Sequence, residues 1–394
     1  MKKKFLPIFL LLFVLIGCTS GQRALLLDDC PVVAKIVNNV LSVDYAQIKD
    51  TIEIPLSSFV DEIKVVKLDS AQNALIAGQN TSISISDNYI FIHDAMFPNV
   101  SCKLFDKNGR YLTNIGTKGR GPGEYQNVYD QQIDEVNERI YLLPWSWDKI
   151  LVYDFDGKPL EPIPLPTSLP KGLFKVHLNN TVTLVKLPFK GYEDNMVWTQ
   201  DFSGNVLSSV SLDFLSLQPD YANELLSNKI YSGLDFSILS FKKIDSLYHY
   251  DIQENRLIAQ FTVNFGAEIP LHSYYEYPCH FLVYVAGEMI AVPGGVTAAP
   301  GGYALIDKIT HKGAFFKLMN DFLGGIEIEH PGYKINGAYF TQTLDPISFI
   351  ESLEKARKTN RYMTSEVQNR IDRLIESITE DDNNYIIYGK LKTP

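Results

Sequence analysis

The chain has 394 residues, of which 45% are hydrophobic and 12% aromatic, so it is too apolar for a disordered protein and long enough to bury a large core. Lys and Arg total 36 against 46 Asp and Glu, which gives a formal net charge of −10. A nucleic-acid-binding protein normally carries a basic stripe, and this acidic balance argues against that class.

Residues 1–18 have the pattern of an export signal. A basic start precedes an apolar run at residues 5–16, which is too short to cross a hydrocarbon core of about 30 Å. The run ends in Gly17-Cys18, and a small residue followed by Cys at this point resembles the lipobox of bacterial lipoproteins. The resemblance implies a signal peptide of residues 1–17 and a lipid on Cys18. The alternative is an ordinary signal peptide with a chance cysteine.

The lipobox interpretation also predicts a location. Thr19 rather than Asp follows the lipidated cysteine, which is compatible with sorting to the outer membrane. We therefore expect a cell-envelope protein that is lipid-anchored to the outer membrane, faces the periplasm and uses residues 18–45 as a tether. The other three cysteines, Cys30, Cys102 and Cys279, allow at most one disulfide, and their pairing stays open.

A hairpin motif recurs after two β-type runs at residues 51–56 and 62–68. It consists of an apolar or aromatic residue, Asp, two further residues and Gly, and the Gly is lost or displaced in later copies. Asn-Gly and Asp-Gly supply the positive φ values that tight hairpins need. The five copies are spaced 48, 47, 50 and 56 residues apart and carry Asp106, Asp154, Asp201, Asp251 and Asp307.

The repeat predicts the fold. Four short strands fit into each unit of about 48 residues, which is typical of one blade of a β-propeller. A sixth blade would come from the strands near 335–341 and 385–391. The prediction is an all-β fold, a six-bladed β-propeller over residues 46–394. At least one of the runs 51–56 and 62–68 should complete the last blade, because closure removes open sheet edges.

The most distinctive stretch is the Gly-rich segment 116–125, which reads Gly-Thr-Lys-Gly-Arg-Gly-Pro-Gly-Glu-Tyr. It lacks the Gly-Lys-Ser/Thr of a Walker loop, and Pro122 followed by a strand-like run argues against a dinucleotide loop, which opens a helix. The segment 111–125 resembles the six-bladed β-propeller lipoproteins of Gram-negative bacteria, which are related to NHL-repeat propellers. The likeness extends loosely over residues 50–394 and implies a fold and a compartment, but no reaction.

Two helices are predicted as an insertion at about residues 345–380. The first should open with Asp345 as N-cap and Pro346 at the first helical position. The second should open at Ser365, with Gln368 completing a capping box. One face of this helix is apolar and should pack on the flank of the propeller. The polar run after it is predicted to be a solvated turn.

Propeller topology predicts one candidate ligand-binding face. The loop between the second and third strands of a blade lies at the same end as the link to the next blade. The Gly-rich link and the loop 144–148 should therefore share one end of the ring, where aromatic and charged side chains would form a platform. The candidates are Arg120, Glu124, Trp145, Trp147, Asp148 and His93. In the alternative, the Trp residues pack the blades and Arg120 pairs with Glu124.

No catalytic signature accompanies the predicted fold. The seven His residues form no HExxH motif, and there is no GxSxG elbow. A channel metal held by His93, His272 and His280 is a weaker alternative, and no cofactor is predicted. Because propellers host both binding proteins and enzymes, the fold alone does not decide between them.

We therefore expect a non-catalytic propeller that binds a small molecule, a glycan or an envelope protein on one ring face. It would contact the membrane through its lipid anchor only and bind no nucleic acid. The main alternative is a hydrolase, lactonase or lyase with a metal or acid/base site at the central channel, and a structural role in an envelope assembly is the third. Converging His, Asp or Glu side chains around the channel would favour the enzyme.

Overall fold

The repeated aspartate closes each hairpin with its own side chain. In the computed structural model, Oδ1 of Asp106 accepts hydrogen bonds from the backbone N–H groups of Asn108 (2.9 Å) and Arg110 (3.0 Å). The other four repeat aspartates each accept two such bonds. A short acidic side chain that bonds its own backbone a few residues on favours a turn wherever it occurs. The structure describes residues 26–76, 81–94, 101–190, 196–211, 217–218, 223–230, 233–239, 246–292, 295–299 and 301–392.

The loss of Gly from the last two copies has a geometric reason. In the first three hairpins the residue three places after Asp has a positive φ, and in each it is Gly (Gly109 has φ +85°). In the fourth and fifth hairpins the positive φ falls one place later, on Asn255 (+44°) and His311 (+60°). These turns are one residue longer, so the sequence marker fades while the hairpin persists.

The strands form six antiparallel blades, as predicted. The N-terminal segment contributes β1 (Ala34–Val37), β2 (Val40–Asp44), β3 (Thr51–Pro55) and β4 (Lys64–Lys67). Blade 1 contains β5 (Thr81–Ile85), β6 (Tyr89–Asp94), β7 (Ser101–Asp106) and β8 (Tyr111–Asn114). The Gly-rich link contains β9 (Thr117–Lys118) and β10 (Glu124–Tyr125). Blade 2 contains β11 (Val128–Asp134), β12 (Arg139–Pro144), β13 (Trp147–Asp154) and β14 (Ile163–Leu169).

The second half of the ring continues the pattern with additions. Blade 3 contains β15 (Gly172–Val176), β16 (Thr181–Lys186), β17 (Val197–Asp201) and β18 (Val206–Val210). Blade 4 contains β19 (Glu224–Leu226), β20 (Leu234–Leu239), β21 (Ser246–Asp251) and β22 (Arg256–Asn264). Blade 5 contains β23 (His272–Glu276), β24 (His280–Val285), a small hairpin of β25 (Met289–Val292) and β26 (Gly295–Ala298), then β27 (Gly302–Asp307), β28 (Gly313–Asn320) and β29 (Ile326–Ile328). Blade 6 contains β30 (Ile335–Asn336), β31 (Tyr339–Leu344) and β32 (Tyr385–Lys390).

The N-terminal segment spans three neighbouring blades. Strand β4 pairs antiparallel with β32 and completes blade 6, which confirms the predicted closure. Strand β3 pairs in parallel with β28 at the outer side of blade 5. The hairpin β1–β2 extends blade 4 through a parallel pairing of β2 with β22. The segment predicted to be a tether, residues 18–45, is therefore folded onto the ring in part, and from Ala34 onward its alternating apolar residues complete a sheet.

The core is divided among the contacts between blades. Within the described residues, buried apolar side chains form six clusters, one at each interface between neighbouring blades. Alternate residues of one strand serve different clusters: Phe91 faces blade 2, whereas Ile90 and Ile92 face blade 6. This follows from the two-residue period of a β-strand and explains why the repeats read as alternating apolar runs.

Two helices, α1 (Pro346–Thr359) and α2 (Ser365–Ser377), lie between β31 and β32 as predicted. Asp345 caps α1 by accepting a hydrogen bond from Ser348 N (2.9 Å). The predicted capping box of α2 is wrong, because its N-cap is Thr364 and the Gln368 side chain donates instead to Asp372 (2.8 Å). The helices pack on the cluster between blades 5 and 6. Short 3₁₀ turns occupy Tyr45–Gln47, Leu56–Ser58, Asp321–Leu323 and Pro331–Lys334.

Three further observations bear on the sequence predictions. The run 380–384 is not wholly solvated, since Asn383 and Asn384 are buried. Cys30 and Cys102 are buried free thiols, so no disulfide forms among the three cysteines that follow Cys18. No helix in the described parts of the chain is long and apolar enough to cross a bilayer. Cys18 and the export signal lie outside the described residues.

Candidate ligand-binding face

Alternating strand directions give the ring two ends. We call the end that carries the repeat hairpins the hairpin end. The opposite end, which carries the loops between second and third strands and the links between blades, is the loop end. The Gly-rich link 116–125 and the loop 144–148 both lie at the loop end. A hydrogen bond from Trp145 N to Asn127 O (3.3 Å) joins that loop to the residues following the link.

The Gly-rich link folds closely around a carboxylate. Oε2 of Glu124 accepts a hydrogen bond from Gly121 N (2.7 Å), and Gly119 N donates to Tyr125 O (2.9 Å). A Cβ atom at position 119 would lie 1.9 Å from the Glu124 carboxylate. Glu124 therefore braces the link, whereas Arg120 is exposed and forms no ion pair with it.

Two tyrosines fix the link to the interface between blades 1 and 2. The Tyr125 hydroxyl donates to Ile115 O (3.1 Å) and accepts from Cys102 N (3.0 Å), and the Tyr153 hydroxyl donates to Gly123 O (2.8 Å). Burial raises the pKa values of both hydroxyls well above their ordinary range, so they stay protonated and can donate. The link is thus a rigid element of the loop end.

The loop 144–148 presents the aromatic part of the face. Ser146 adopts φ +57° and donates from its N–H to Pro170 O (3.2 Å), so the loop is held between the links on either side of blade 2. Trp145 is 39% exposed, and the Lys171 ammonium lies 5.3 Å from its ring centroid. Trp147 is partly buried, with its backbone in register opposite Leu169, and Asp148 is exposed.

A buried polar network supports Trp145 from below, and sequence reasoning missed it. Lys171 is 2% exposed, forms an ion pair with Glu224 of blade 4 and donates to Asn223 O (3.0 Å). Glu224 also accepts from the Tyr129 hydroxyl (2.6 Å) on blade 2. Since a buried ammonium needs a partner, this network fixes Lys171 beneath the indole ring. No spacing in the sequence signals these pairs, because the partners belong to different blades.

His93 does not join the exposed face. It is 5% exposed and lies opposite Cys102 in the register of β6 and β7, facing the interface between blades 1 and 2. Its Nε2 atom is buried without a hydrogen-bond partner among the described residues. Burial lowers the pKa of His93 to about 4. Of the six predicted residues, Arg120, Glu124, Trp145, Trp147 and Asp148 therefore stay at the loop end as the candidate face, and His93 leaves it.

Replacing His93 with Leu should flatten the acid side of the stability profile. The folded state keeps His93 neutral down to about pH 4, whereas the unfolded chain takes up a proton near the ordinary value of 6.5. Above pH 6.5 His93 is neutral in both states, and its titration does not affect stability. As the pH falls from 6.5 to 4, proton uptake by the unfolded chain alone lowers the free energy of unfolding by about 3 kcal/mol. Thermal unfolding of His93→Leu and the wild type should converge or cross between pH 7.5 and 4.5. Cys102→Ala is the matched control and should shift the midpoint equally at both pH values.

The central channel is crossed by the inner segment of blade 4, residues 223–230. Leu225 N donates to the Tyr129 hydroxyl (3.1 Å) of blade 2, and Lys229 pairs with Asp130 (2.6 Å) on the same blade. Asn228 donates to Glu276 O (2.5 Å) of blade 5 and accepts from Gly337 N of blade 6. Among the described residues, polar contacts from this segment therefore reach blades 2, 5 and 6 across the middle of the ring.

A second group of ionisable side chains lies in blades 4 and 5 near the hairpin end. Oδ1 of Asp235 lies 2.8 Å from Nδ1 of His249, and this hydrogen bond raises the pKa of His249. Glu276 pairs with Lys308 (2.5 Å), and burial raises its pKa to about 7 despite that cation. Asp235 Oδ2 and Glu276 Oε2 are buried without hydrogen-bond partners among the described residues.

The three histidines of the weaker alternative, a channel metal held by His93, His272 and His280, do not lie together. Within the described ranges, no group of three His, Cys, Asp or Glu side chains could hold a metal ion. His272 begins β23 and His280 begins the antiparallel β24, so they lie at opposite ends of the ring, and His93 belongs to blade 1. Nδ1 of His272 lies 2.8 Å from Pro270 O, and His280 lies 3.7 Å from Asp307.

Comparisons with known proteins agree with the fold. The family described as a domain of unknown function, DUF4934, matches residues 39–390. A protein of Bacteroides fragilis that is described as exported has a solved structure with a TM-score of 0.57 and 17% identity, covering 88% of this chain and 99% of that one. A DUF4221 member from Bacteroides vulgatus has a TM-score of 0.44 and 9% identity, covering 84% and 97%. No curated protein matches. At these identities the likeness concerns the fold alone.

Proposed function

The chain belongs to the DUF4934 family, whose function is unknown, and we propose a function from its own residues. The protein is an exported, lipid-anchored propeller that binds an envelope protein through its loop end. The observation that carries this proposal is the exposed Trp145, held over the buried Lys171 by groups from three blades. A rigid, partly exposed Trp beside exposed charges has the composition of an interface hot spot.

Location outside the cytoplasm is supported by the Bacteroides fragilis relative, which is described as exported. The finer assignment, a lipid on Cys18 in an outer-membrane lipoprotein related to NHL-repeat propellers, rests on the lipobox pattern and the Gly-rich link. Labelling of cells with an alkynyl fatty acid should mark the wild type and leave Cys18→Ser unmarked. Labelling that is equal in both proteins would contradict the anchor.

Site-specific photo-cross-linking in intact cells tests the binding face. A photoreactive amino acid at position 145 or 148 should give an adduct of one discrete mass. The same amino acid at Asn108 or Asp156, on exposed hairpins at the other end of the ring, should give none. Trp145→Ala should reduce the adduct formed from position 148 at least tenfold, which corresponds to about 1.4 kcal/mol. Equal adducts from both ends would contradict a specific face.

A second candidate function is acid–base chemistry by a hydrolase, lactonase or lyase. Its support is the Asp235–His249 pair, in which a buried carboxylate orients an imidazole, together with the nearby Glu276. A panel of esters and lactones would test it. Turnover that is lost in His249→Gln and retained in Trp145→Ala would favour the enzyme, whereas turnover unchanged by His249→Gln would exclude this site.

A further inference from the structure

We infer that the hairpin end of blade 5 faces the bilayer and that the loop end, with Trp145, is presented away from it. The inference rests on the lipid anchor of the proposed function and deepens it by fixing where the partner must lie. The partner would approach from the side remote from the anchoring membrane and would not be embedded in the same leaflet.

The first step is where the N-terminal chain joins the ring. Residues 28–34 lie along the hairpin of blade 5, which Asp307 closes. Val33 N donates to His311 O (2.9 Å), Gly313 N donates to Pro31 O (3.1 Å), and Val32 forms a β-bridge with Lys312. The chain therefore arrives at the hairpin end.

The second step is that this arrival point is fixed. Leu27 is 4% exposed and Cys30 is 9% exposed, and both belong to the cluster between blades 5 and 6. The Lys312 ammonium donates to Asp28 O (2.5 Å) and lies 3.8 Å from the Asp28 carboxylate. Apolar burial together with this polar contact holds residues 27–30 against the ring, so the tether effectively begins near Leu26.

The third step is length. From Cys18 to Leu26 the chain covers eight residues, which can span at most roughly 28 Å when fully extended. Strand β13, with eight residues and therefore seven steps, rises by roughly 23 Å on its way from the loop end to the hairpin end. To turn the loop end toward the bilayer, the tether would have to run past the whole thickness of the ring. That path would use nearly all of the tether's length. With the hairpin end toward the bilayer, the tether does not have to pass the ring.

Energy transfer to acceptor-labelled lipids tests the orientation. The full lipidated chain is reconstituted into phospholipid vesicles after a donor dye is attached to a single added cysteine. Asp156→Cys and Asp148→Cys form a matched pair, because both are exposed residues of blade 2 at opposite ends of the ring. Thr310→Cys reports the hairpin of blade 5. All variants carry Cys279→Ser, because Cys279 is only partly buried beside the hairpin of blade 5. The chain with that substitution alone gives the background labelling, which should be low at the buried Cys30 and Cys102.

Transfer should be strongest from position 310, intermediate from 156 and weakest from 148, with at least a twofold difference between the extremes. Transfer from 148 that equals or exceeds transfer from 310 would overturn the orientation while leaving the anchor intact. The wild type should float with the vesicles, and Cys18→Ser should not. Failure of the wild type to float would overturn the anchor and the orientation with it. The two failures are therefore distinguishable.

Discussion

Replacing Asn383 with Ala should lower the free energy of unfolding by about 3–5 kcal/mol, although the residue lies in no helix or strand. Its side chain is buried and makes four hydrogen bonds to backbone groups. Oδ1 accepts from Ile76 N (3.1 Å) and Asn384 N (2.8 Å), while Nδ2 donates to Asp69 O (2.8 Å) and Ala74 O (3.0 Å). Truncation would leave these buried groups unpaired.

The hydrogen bonds of Asn383 explain why their loss should be global. Residues 69–76 connect β4, the closing strand of blade 6, to blade 1. We call the four hydrogen bonds of Asn383 the clamp, and the junction of blade 6 with blade 1 the seam. The clamp therefore joins the segment that follows α2 to the seam at which the ring closes. Urea unfolding monitored by Trp fluorescence would measure the loss. Asn205→Ala is the matched control: Asn205 is exposed, its side chain donates to Asp201 (2.8 Å), and its loss should cost less than about 1 kcal/mol. Similar losses in the two variants would contradict the clamp.

The parts of the fold that the sequence predicts correctly are those that local bonds determine. Asp106 folds its hairpin through bonds to residues only two and four places away, so its spacing along the chain reports the blades directly. The N-cap of α1 works in the same way, since Asp345 bonds Ser348. Closure by β4 was predictable for a different reason. The sequence contains an N-terminal strand without a blade and a last blade that lacks a strand, and pairing the two removes the open sheet edges.

The parts that escaped prediction depend on contacts between residues far apart in the chain. The hairpin β1–β2 looks like a tether in isolation, because its partner β22 begins more than two hundred residues later. Lys171 and Glu224, which support Trp145, are 53 residues apart and belong to different blades. The sequence predicts His93 on the face because it lies near a loop, but the side-chain alternation of β6 points it into a blade interface. A propeller assembles its site from many blades, so single-sequence spacing carries little of the site.

The seam of the ring also supplies the second large effect. Gly109→Ala should lower the free energy of unfolding by about 2–4 kcal/mol, whereas Gly266→Ala should cost about 1 kcal/mol. Both glycines have a strongly positive φ, +85° and +81°, so both variants incur the same backbone strain. A Cβ atom at position 109 would lie 2.1 Å from Lys67 O of the closing strand, whereas at position 266 it would meet nothing within 4 Å.

The difference in unfolding free energy between the two glycine variants therefore measures how much the contacts between blades 6 and 1 stabilise the ring. Gly109 O accepts a hydrogen bond from Asp69 N (2.8 Å), and the neighbouring Lys107 ammonium lies 4.8 Å and 4.3 Å from the ring centroids of Tyr339 and Tyr388. A Cβ at 109 would push the first hairpin off blade 6 and weaken all of these contacts together. Amide hydrogen exchange should then speed up in β4 and β32 for Gly109→Ala and stay unchanged there for Gly266→Ala. Equal destabilisation without faster exchange in β4 would show that the hairpin of blade 1 does not secure the closed ring.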